Sequence, residues 1–400
     1  MAGAAELNVA QLSKLRFAEC KLETCTTNER NRQSLYMEWA KTRSGARFSL
    51  ATSGIINVAL SEFPLRVQDL EITTPVGGYG YEPLLDRIAR HTGAPRECIV
   101  TANGTSLANH LAMAALVSPG DEVLIEEPAY GPLLDVAHYL GASVRGIARR
   151  FENDFALDPE ALAGALTSRT KLIVLTNFHN PSGALIPVET LRAIGEHALK
   201  IGARVLVDEV YLEMLFHSAA PFAFPIGTEL ATLEKNPFIS TSSLTKAYGL
   251  SGLRCGWILA APALAKRIWR LHDLYGSVAP HTAERMSVMA LDHLAQFRER
   301  AAALLDVNRP LLDAFLDARS DLDCWRPREG SIVFPKLRQG DSADLLKLLR
   351  EKYETTVVPG HFFELPEHFR VGIGGETAIV RAGLERLGLA LDEFSAEAGR

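Results

Sequence analysis

Lys246 stands in the stretch STSSLTKAYGLSGLRCGW, residues 240–257, with no other charged side chain until Arg254. Lysines usually lie on wet helix faces beside glutamates. A lysine isolated among Ser, Thr and Gly is placed to act as an amine. In a pocket with little water it loses part of its preference for the ammonium form, and as a free amine it attacks carbonyls and forms a Schiff base. Other reactive types follow other apolar runs. Asp208 is the first polar residue after the run VLV in RVLVDEVYLEM, with Tyr211 close behind. A carboxylate in that position is largely buried and needs a cation, a donor or a proton.

Asn180 precedes Pro181 in NFHNPSGALIP, where a side-chain amide can donate to a ligand oxygen. His179 beside it reads as a structural histidine. Tyr130 in PAYGPLL offers an aromatic face at a strand tip, although a tyrosine in such a loop is often only packed there. Gly104, Thr105 and Ser106 open the helix-like stretch of ANGTSLANHLAMAAL. Free backbone N–H groups and two hydroxyls at a helix start suit an anion, although many such starts only cap their helix. Ser243 and Arg254 flank Lys246 with a hydroxyl and a guanidinium.

These residues need a scaffold that gathers them. The runs CIVTA (98–102), EVLIEE (122–127), KLIVLT (171–176), RVLVDE (204–209), FISTSS (238–243) and GWILAA (256–261) have the length and branching of buried strands. Between two of them, PVETLRAIGEHALKIGA has helical spacing at Val188, Leu191, Ile194, Ala198 and Ile201, with Pro187 before and Gly202 after. Such alternation predicts an α/β fold with a mainly parallel sheet flanked by helices. A long helix-like stretch follows at 284–318, then the strand-like pieces SIVFPKL and FRVGIGG. We expect a large domain over 46–285 and a smaller α+β domain from 1–45 and 286–400. Ligands of open α/β sheets lie at the carboxyl ends of the strands, and the residues above all follow strands.

One ligand uses all of them. An amine for an aldehyde, an acid for a protonated ring nitrogen, an aromatic face, an amide and an anion cradle together describe pyridoxal 5′-phosphate. At this point the sequence resembles the class I/II aminotransferases, pyridoxal-phosphate enzymes of fold type I with aspartate aminotransferase as a familiar member. The likeness runs from about residue 50 to residue 385 and is most specific at NPSG (180–183), DEVY (208–211), SSLTKAYGLSGLRCGW (242–257) and FRVGIGG (369–375).

The resemblance implies a role for each residue. Lys246 carries the Schiff base and shuttles the proton. Asp208 pairs with the pyridinium, Tyr130 stacks on the ring, and Asn180 and Tyr211 bond its phenolic oxygen. Gly104, Thr105, Ser106, Ser243 and Arg254 hold the phosphate. Arg370 clamps the substrate α-carboxylate, with Asn180 near it, in a two-pronged contact that lysine could not copy. It also implies a homodimer with shared sites. Pro75 falls where many members have a tyrosine that reaches the partner's phosphate, with Tyr79 and Tyr81 nearby. His281, in LYGSVAPHTAERMS, falls where another cross-dimer loop is expected and would line the partner's substrate pocket.

Composition narrows the alternatives. A net charge of -6 argues against nucleic acid as the main partner. No apolar run approaches the roughly 20 residues of a membrane span, and the N-terminus lacks the pattern of a signal peptide, so a cytoplasmic enzyme is expected. The 5 cysteines, Cys20, Cys25, Cys98, Cys255 and Cys324, lack metal-site spacing and read as free thiols. Transamination of an α-amino acid with a 2-oxo acid, by a ping-pong route, is the leading expectation. A β- or γ-elimination or a cyclising synthase on the same scaffold is the alternative. A regulator needs a DNA-binding module ahead of the fold, and the N-terminal segment is too short and too weakly basic for one. A non-catalytic relative would not be expected to keep Lys246, Asp208, Arg254 and Arg370 together.

Overall fold

The computed structural model describes residues 33–73 and 77–398. Cys20, Cys25, Pro75 and most of the N-terminal segment lie outside the described residues. The centre is a 7-stranded sheet. In spatial order its strands are Ile99–Asn103, Cys255–Leu259, Phe238–Ser243, Arg204–Asp208, Thr170–Thr176, Glu122–Glu127 and Ser143–Ala148. All run the same way except Cys255–Leu259, which is antiparallel to both neighbours.

The strands read as continuous apolar runs because both faces of the sheet are covered. Leu172, Leu206 and Ile258 point to one face and pack with Ala108, Leu111 and Met113 of the helix Thr105–Ala114. Ile173, Val205 and Val207 point to the other and pack with Leu191, Ile194 and Ala198 of the helix Val188–Ile201. That helix starts after Pro187 and stops at Gly202, whose φ of 74° is left-handed backbone that glycine adopts without penalty. The strand Ser143–Ala148 is not among the sequence expectations. It lies at the sheet's edge, is mostly solvent-exposed, and reads SVRGIA, so no buried run marks it.

Parallel strands deliver their carboxyl ends to one edge of the sheet. The antiparallel strand delivers its beginning there instead, since Cys255 pairs with Asn103. Arg254 therefore arrives beside Gly104 although 150 residues separate them. The expected single helix over 284–318 is two helices, His281–Asp292 and Leu294–Asp317, broken at His293. The first packs on the helix Glu82–Thr92 and the second on the helix Thr377–Ala398. The break lets one apolar stretch serve two neighbours that lie in different directions.

Beside the sheet, Ile332–Val333 and Val358–Pro359 pair antiparallel on either side of Phe369–Gly372. The segment Leu50–Ile56 ties this layer to the large sheet. Leu50 O accepts from Gly372 N at 2.7 Å, Ile55 N donates to Lys246 O at 2.9 Å, and Ile56 N donates to Gly374 O at 2.7 Å. The approach is so close that a Cβ on Gly372 would stand 1.7 Å from Thr52 O. We predict that Gly372→Ala destabilises the protein by about 1–3 kcal/mol or more through overpacking against backbone. Equilibrium chemical denaturation measures it; a loss below ~0.5 kcal/mol would show that the segment moves aside freely.

Candidate active site

Lys246 follows the strand Phe238–Ser243 and opens onto a cavity of about 210 Å³ at the sheet's carboxyl edge. Thr105, Ser106, Tyr130 and Asn180 line it, as do Asp208, Tyr211, Ser243 and Arg254. Gly104 lies just behind this wall, under Arg254. Arg370 enters from the strand Phe369–Gly372 and is tied to the wall through Asn180. The structure thus brings the expected cofactor and carboxylate residues together from two separate sheets, while His281, Tyr79 and Tyr81 lie outside this cavity lining.

The Lys246 side chain is half-buried. Burial pushes its pKa down, and Arg370 and Arg254 push the same way against the opposite pull of Tyr36 and Asp208. Its Nζ donates to Ser53 Oγ at 3.1 Å, and the Tyr211 hydroxyl donates to the same oxygen at 2.7 Å. Ser53 belongs to the Leu50–Ile56 segment, so this segment fixes the Lys246 amine as well as the neighbouring layer.

Asp208 ends its strand only 4 % exposed. Its Oδ2 accepts from Asn109 Nδ2 at 2.7 Å and its Oδ1 from Val210 N at 3.1 Å. Asn109 is itself oriented, since its Oδ1 accepts from Thr241 Oγ1 at 2.5 Å. Burial still outweighs these donors and raises the Asp208 pKa to about 6. A carboxylate in this condition is stabilised by any cationic N–H that enters the cavity.

The anion cradle forms where a helix start meets the guanidinium. Gly104, at φ 79°, caps the helix Thr105–Ala114. A Cβ there would stand 2.2 Å from Arg254 Nη2, so only glycine leaves the guanidinium its place. Arg254 is held by the carbonyls of Ser251 and Asn103 at 3.2 and 3.1 Å. Thr105 Oγ1 donates to Ser243 Oγ at 2.9 Å. Hydroxyls, helix N–H groups and a cation converge here, and this donor set fits a phosphate.

A buried polar chain runs under the site. Arg149 pairs with Glu126 at 2.7 Å, both nearly inaccessible. Glu126 Oε1 accepts from the hydroxyl and the N–H of Thr176, and Thr176 Oγ1 accepts from Asn180 N at 3.1 Å. Asn180 Oδ1 then accepts from Arg370 Nη1 at 2.6 Å. Arg370 Nη2 donates to Tyr36 OH and Ala51 O at 3.1 and 3.2 Å.

Asn109, Thr241, Ser53 and Tyr36 are not legible in the sequence as site residues. Asn109 carries a usable signal, because it is a polar residue on the buried face of its helix between Ala108 and Leu111. Ser53 and Tyr36 carry none, since each meets the site only through tertiary contacts. His179 is structural here. Its ring nitrogens engage Ser182 Oγ at 2.6 Å and Pro128 O at 2.8 Å, and burial holds its pKa well below the usual value. His281 is buried, edge-on to Tyr81 and 3.3 Å from Glu284. Tyr79 donates to Asp273 at 3.0 Å on the surface. Cys98, Cys255 and Cys324 are free. Among the described residues no helix is long and apolar enough to cross a membrane.

Glu209, next to Asp208, is fully buried, and burial raises its pKa from 4.5 to about 8. Both acids bind their protons more tightly in the folded chain. Their contribution to stability is therefore present at low pH and is lost as pH rises from about 4 through 8. We predict that Glu209→Gln flattens the fall in melting temperature between pH 5 and pH 8. An unaltered pH slope would assign that fall to other groups.

Comparison with known proteins agrees with this geometry. Residues 68–387 match the family described as aminotransferase class I and II. Capreomycidine synthase of Streptomyces vinaceus is 32% identical over 298 residues, 74% of this chain and 75% of that protein. Arginine–pyruvate transaminase AruH of Pseudomonas aeruginosa is 29% identical, over 79% and 80% of the two chains. Among solved structures, a PLP-dependent aminotransferase from Streptococcus suis superposes with a TM-score of 0.84 at 27% identity, covering 92% of this chain and 99% of that one. The PLP-dependent cyclase OrfR superposes at 0.81 with 26% identity, over 92% and 100%. This chain belongs to the class I and II aminotransferases, enzymes of fold type I whose cofactor is pyridoxal 5′-phosphate.

Proposed function

We propose that the enzyme moves the amino group of an α-amino acid to a 2-oxo acid at the cavity around Lys246. The observation that carries this reading is the placement of two groups. The Lys246 amine comes from the large sheet and the Arg370 guanidinium from the neighbouring layer, and Asn180 joins the two walls. An α-amino acid carries its reacting Cα–H one bond from its carboxylate. A guanidinium that fixes the carboxylate thereby sets the Cα before the amine.

The bound cofactor supplies an aldehyde that captures amines and a protonated ring that accepts the electrons of the Cα–H bond. Asp208, oriented by Asn109, would hold the proton on the ring nitrogen. Tyr130 would cover the ring face. Tyr211 and Asn180 would donate to its phenolic oxygen. Gly104, Thr105, Ser106, Ser243 and Arg254 would bind the phosphate. Lys246 would carry the cofactor and move the proton at the substrate Cα. Its lowered pKa keeps a larger share of the amine unprotonated for that task.

A homodimer completes this reading. The segment with exposed Val67 and Ile72 is tied to the one with exposed Leu274 by bonds from Thr282 to Glu71 O and from Arg285 to Asp69 O. Apolar side chains this exposed on two tied segments suit burial against a second copy.

A second reading is favoured by one observation: capreomycidine synthase and the cyclase OrfR stand among the similar proteins. The same residues would remove the Cα proton, and the donor would then lose a leaving group and close on itself. A panel of amino acids with pyruvate separates the two. Transamination predicts alanine and the donor's 2-oxo acid in equal amounts. Donor consumption without pyruvate, with ammonia or a dehydrated product, would contradict it. Arg370→Lys is predicted to raise KM for the amino acid about 10-fold or more, because an ammonium cannot reproduce the two-pronged contact. A KM within about 2-fold of the parent would remove Arg370 from the carboxylate site.

A further inference from the structure

Tyr36 lies on the short helix Leu35–Thr42, whose start is capped by the Ser34 side chain. The ring is held on several sides by aromatic neighbours. Tyr130 meets it edge-on at 5.4 Å, Phe362 edge-on at 5.6 Å, and Phe363 tilted at 6.0 Å. This packing aims the hydroxyl inward, where it accepts from Arg370 Nη2 at 3.1 Å. Among the described residues the hydroxyl's own proton has no acceptor, although the residue is only 8% exposed.

Arg370 has five N–H donors, and a carboxylate takes two of them in parallel. The end-on fork uses Nη1 and Nη2, and the side-on fork uses Nε and Nη2. Nη2 is common to both. Its two hydrogens are engaged by Tyr36 OH and Ala51 O, while the buried Nε has no partner. A carboxylate that docks on either fork must displace one of those two acceptors. Ala51 O belongs to the chain segment strapped down by the backbone bonds at Leu50, Ile55 and Ile56. The phenol is the acceptor that can yield. It is also the one that can exchange roles, because a hydroxyl donates as readily as it accepts and a carboxylate only accepts.

We propose that Tyr36 is a substrate-binding residue whose hydroxyl cedes its place on Arg370 Nη2 to a carboxylate oxygen of the substrate and donates its own proton to that oxygen. This role rests on the reading of Arg370 as the carboxylate clamp. It gives the otherwise unassigned phenol proton an acceptor and makes the helix Leu35–Thr42 part of the substrate site. Met37 of the same helix lines the cavity and takes the Tyr130 hydroxyl on its sulfur at 3.4 Å, so the helix meets substrate and cofactor walls together.

Tyr36→Phe keeps the aromatic packing and deletes only the hydroxyl. The holoenzyme is titrated with each of the twenty standard amino acids, and binding is read from the visible spectrum. The tightest binder is then compared with its own α-carboxamide, in binding and in turnover. A hydrogen bond to a charged group corresponds to a fold-change of about 10 to 100. The wild-type preference for acid over amide is expected to fall by that factor in Tyr36→Phe, through Kd and KM more than through kcat. An unaltered preference, or an equal loss for acid and amide, would overturn the assignment and leave Tyr36 a packing residue. Arg370→Lys run in parallel separates the two failures. If it also leaves the preference intact, or if no amino acid perturbs the spectrum, the reading of Arg370 itself falls.

Discussion

A carboxylate buried at the end of a β-strand is the constraint on which the site depends. Asp208 has an amide and a backbone N–H for partners, and burial still raises its pKa to about 6. An acid that would be comfortable in water is kept where it must either hold a proton or meet a cation. Around it the fold provides what an oriented cation needs: Asn109 and Thr241 fix the carboxylate plane, and Tyr130 borders the same cavity. In the proposed reading, a protonated pyridine with a phosphate at its other end would satisfy the acid and the Arg254 cradle at once, and the cost of burying the acid would become preference for one cofactor orientation.

The topology explains why distant residues meet. Parallel strands bring Gly104, Asn180, Asp208 and Ser243 to one edge, and a single antiparallel strand adds Arg254. The proposed substrate end is built differently. Arg370 comes from another sheet, and its position is transmitted through Asn180, Thr176 and Glu126 to the buried Arg149. The segment Leu50–Ile56 locks the two halves, touching Lys246, Gly372 and Gly374 by backbone bonds. Mutual placement of amine and guanidinium is therefore set by packed backbone together with this buried side-chain chain.

Much of this arrangement is legible in the amino-acid sequence. Buried strands in a parallel sheet are apolar on both faces, so their runs stand out, and the first polar residue after each run marks the functional edge. That logic reaches Asp208, whereas Asn180 is legible from the turn sequence before Pro181 and Lys246 from its isolation among Ser, Thr and Gly. It fails where no burial pattern exists. The edge strand Ser143–Ala148 is too exposed to show a run. The division of the 284–318 stretch at His293 reflects what each half packs against, which periodicity does not encode. Ser53 and Tyr36 lie in irregular chain or at a helix start, and only the tertiary fold brings them to Lys246 and Arg370.

Everything proposed for the site requires that one amine, Lys246, carry the cofactor in a cavity prepared for it. Borohydride reduction of the holoenzyme, followed by peptide mapping, asks this of the molecule itself. A single stable pyridoxyl label is predicted on the peptide containing Lys246, at about one per chain. A label spread over surface lysines, or fixed at one other lysine with Lys246 unmodified, would contradict that role.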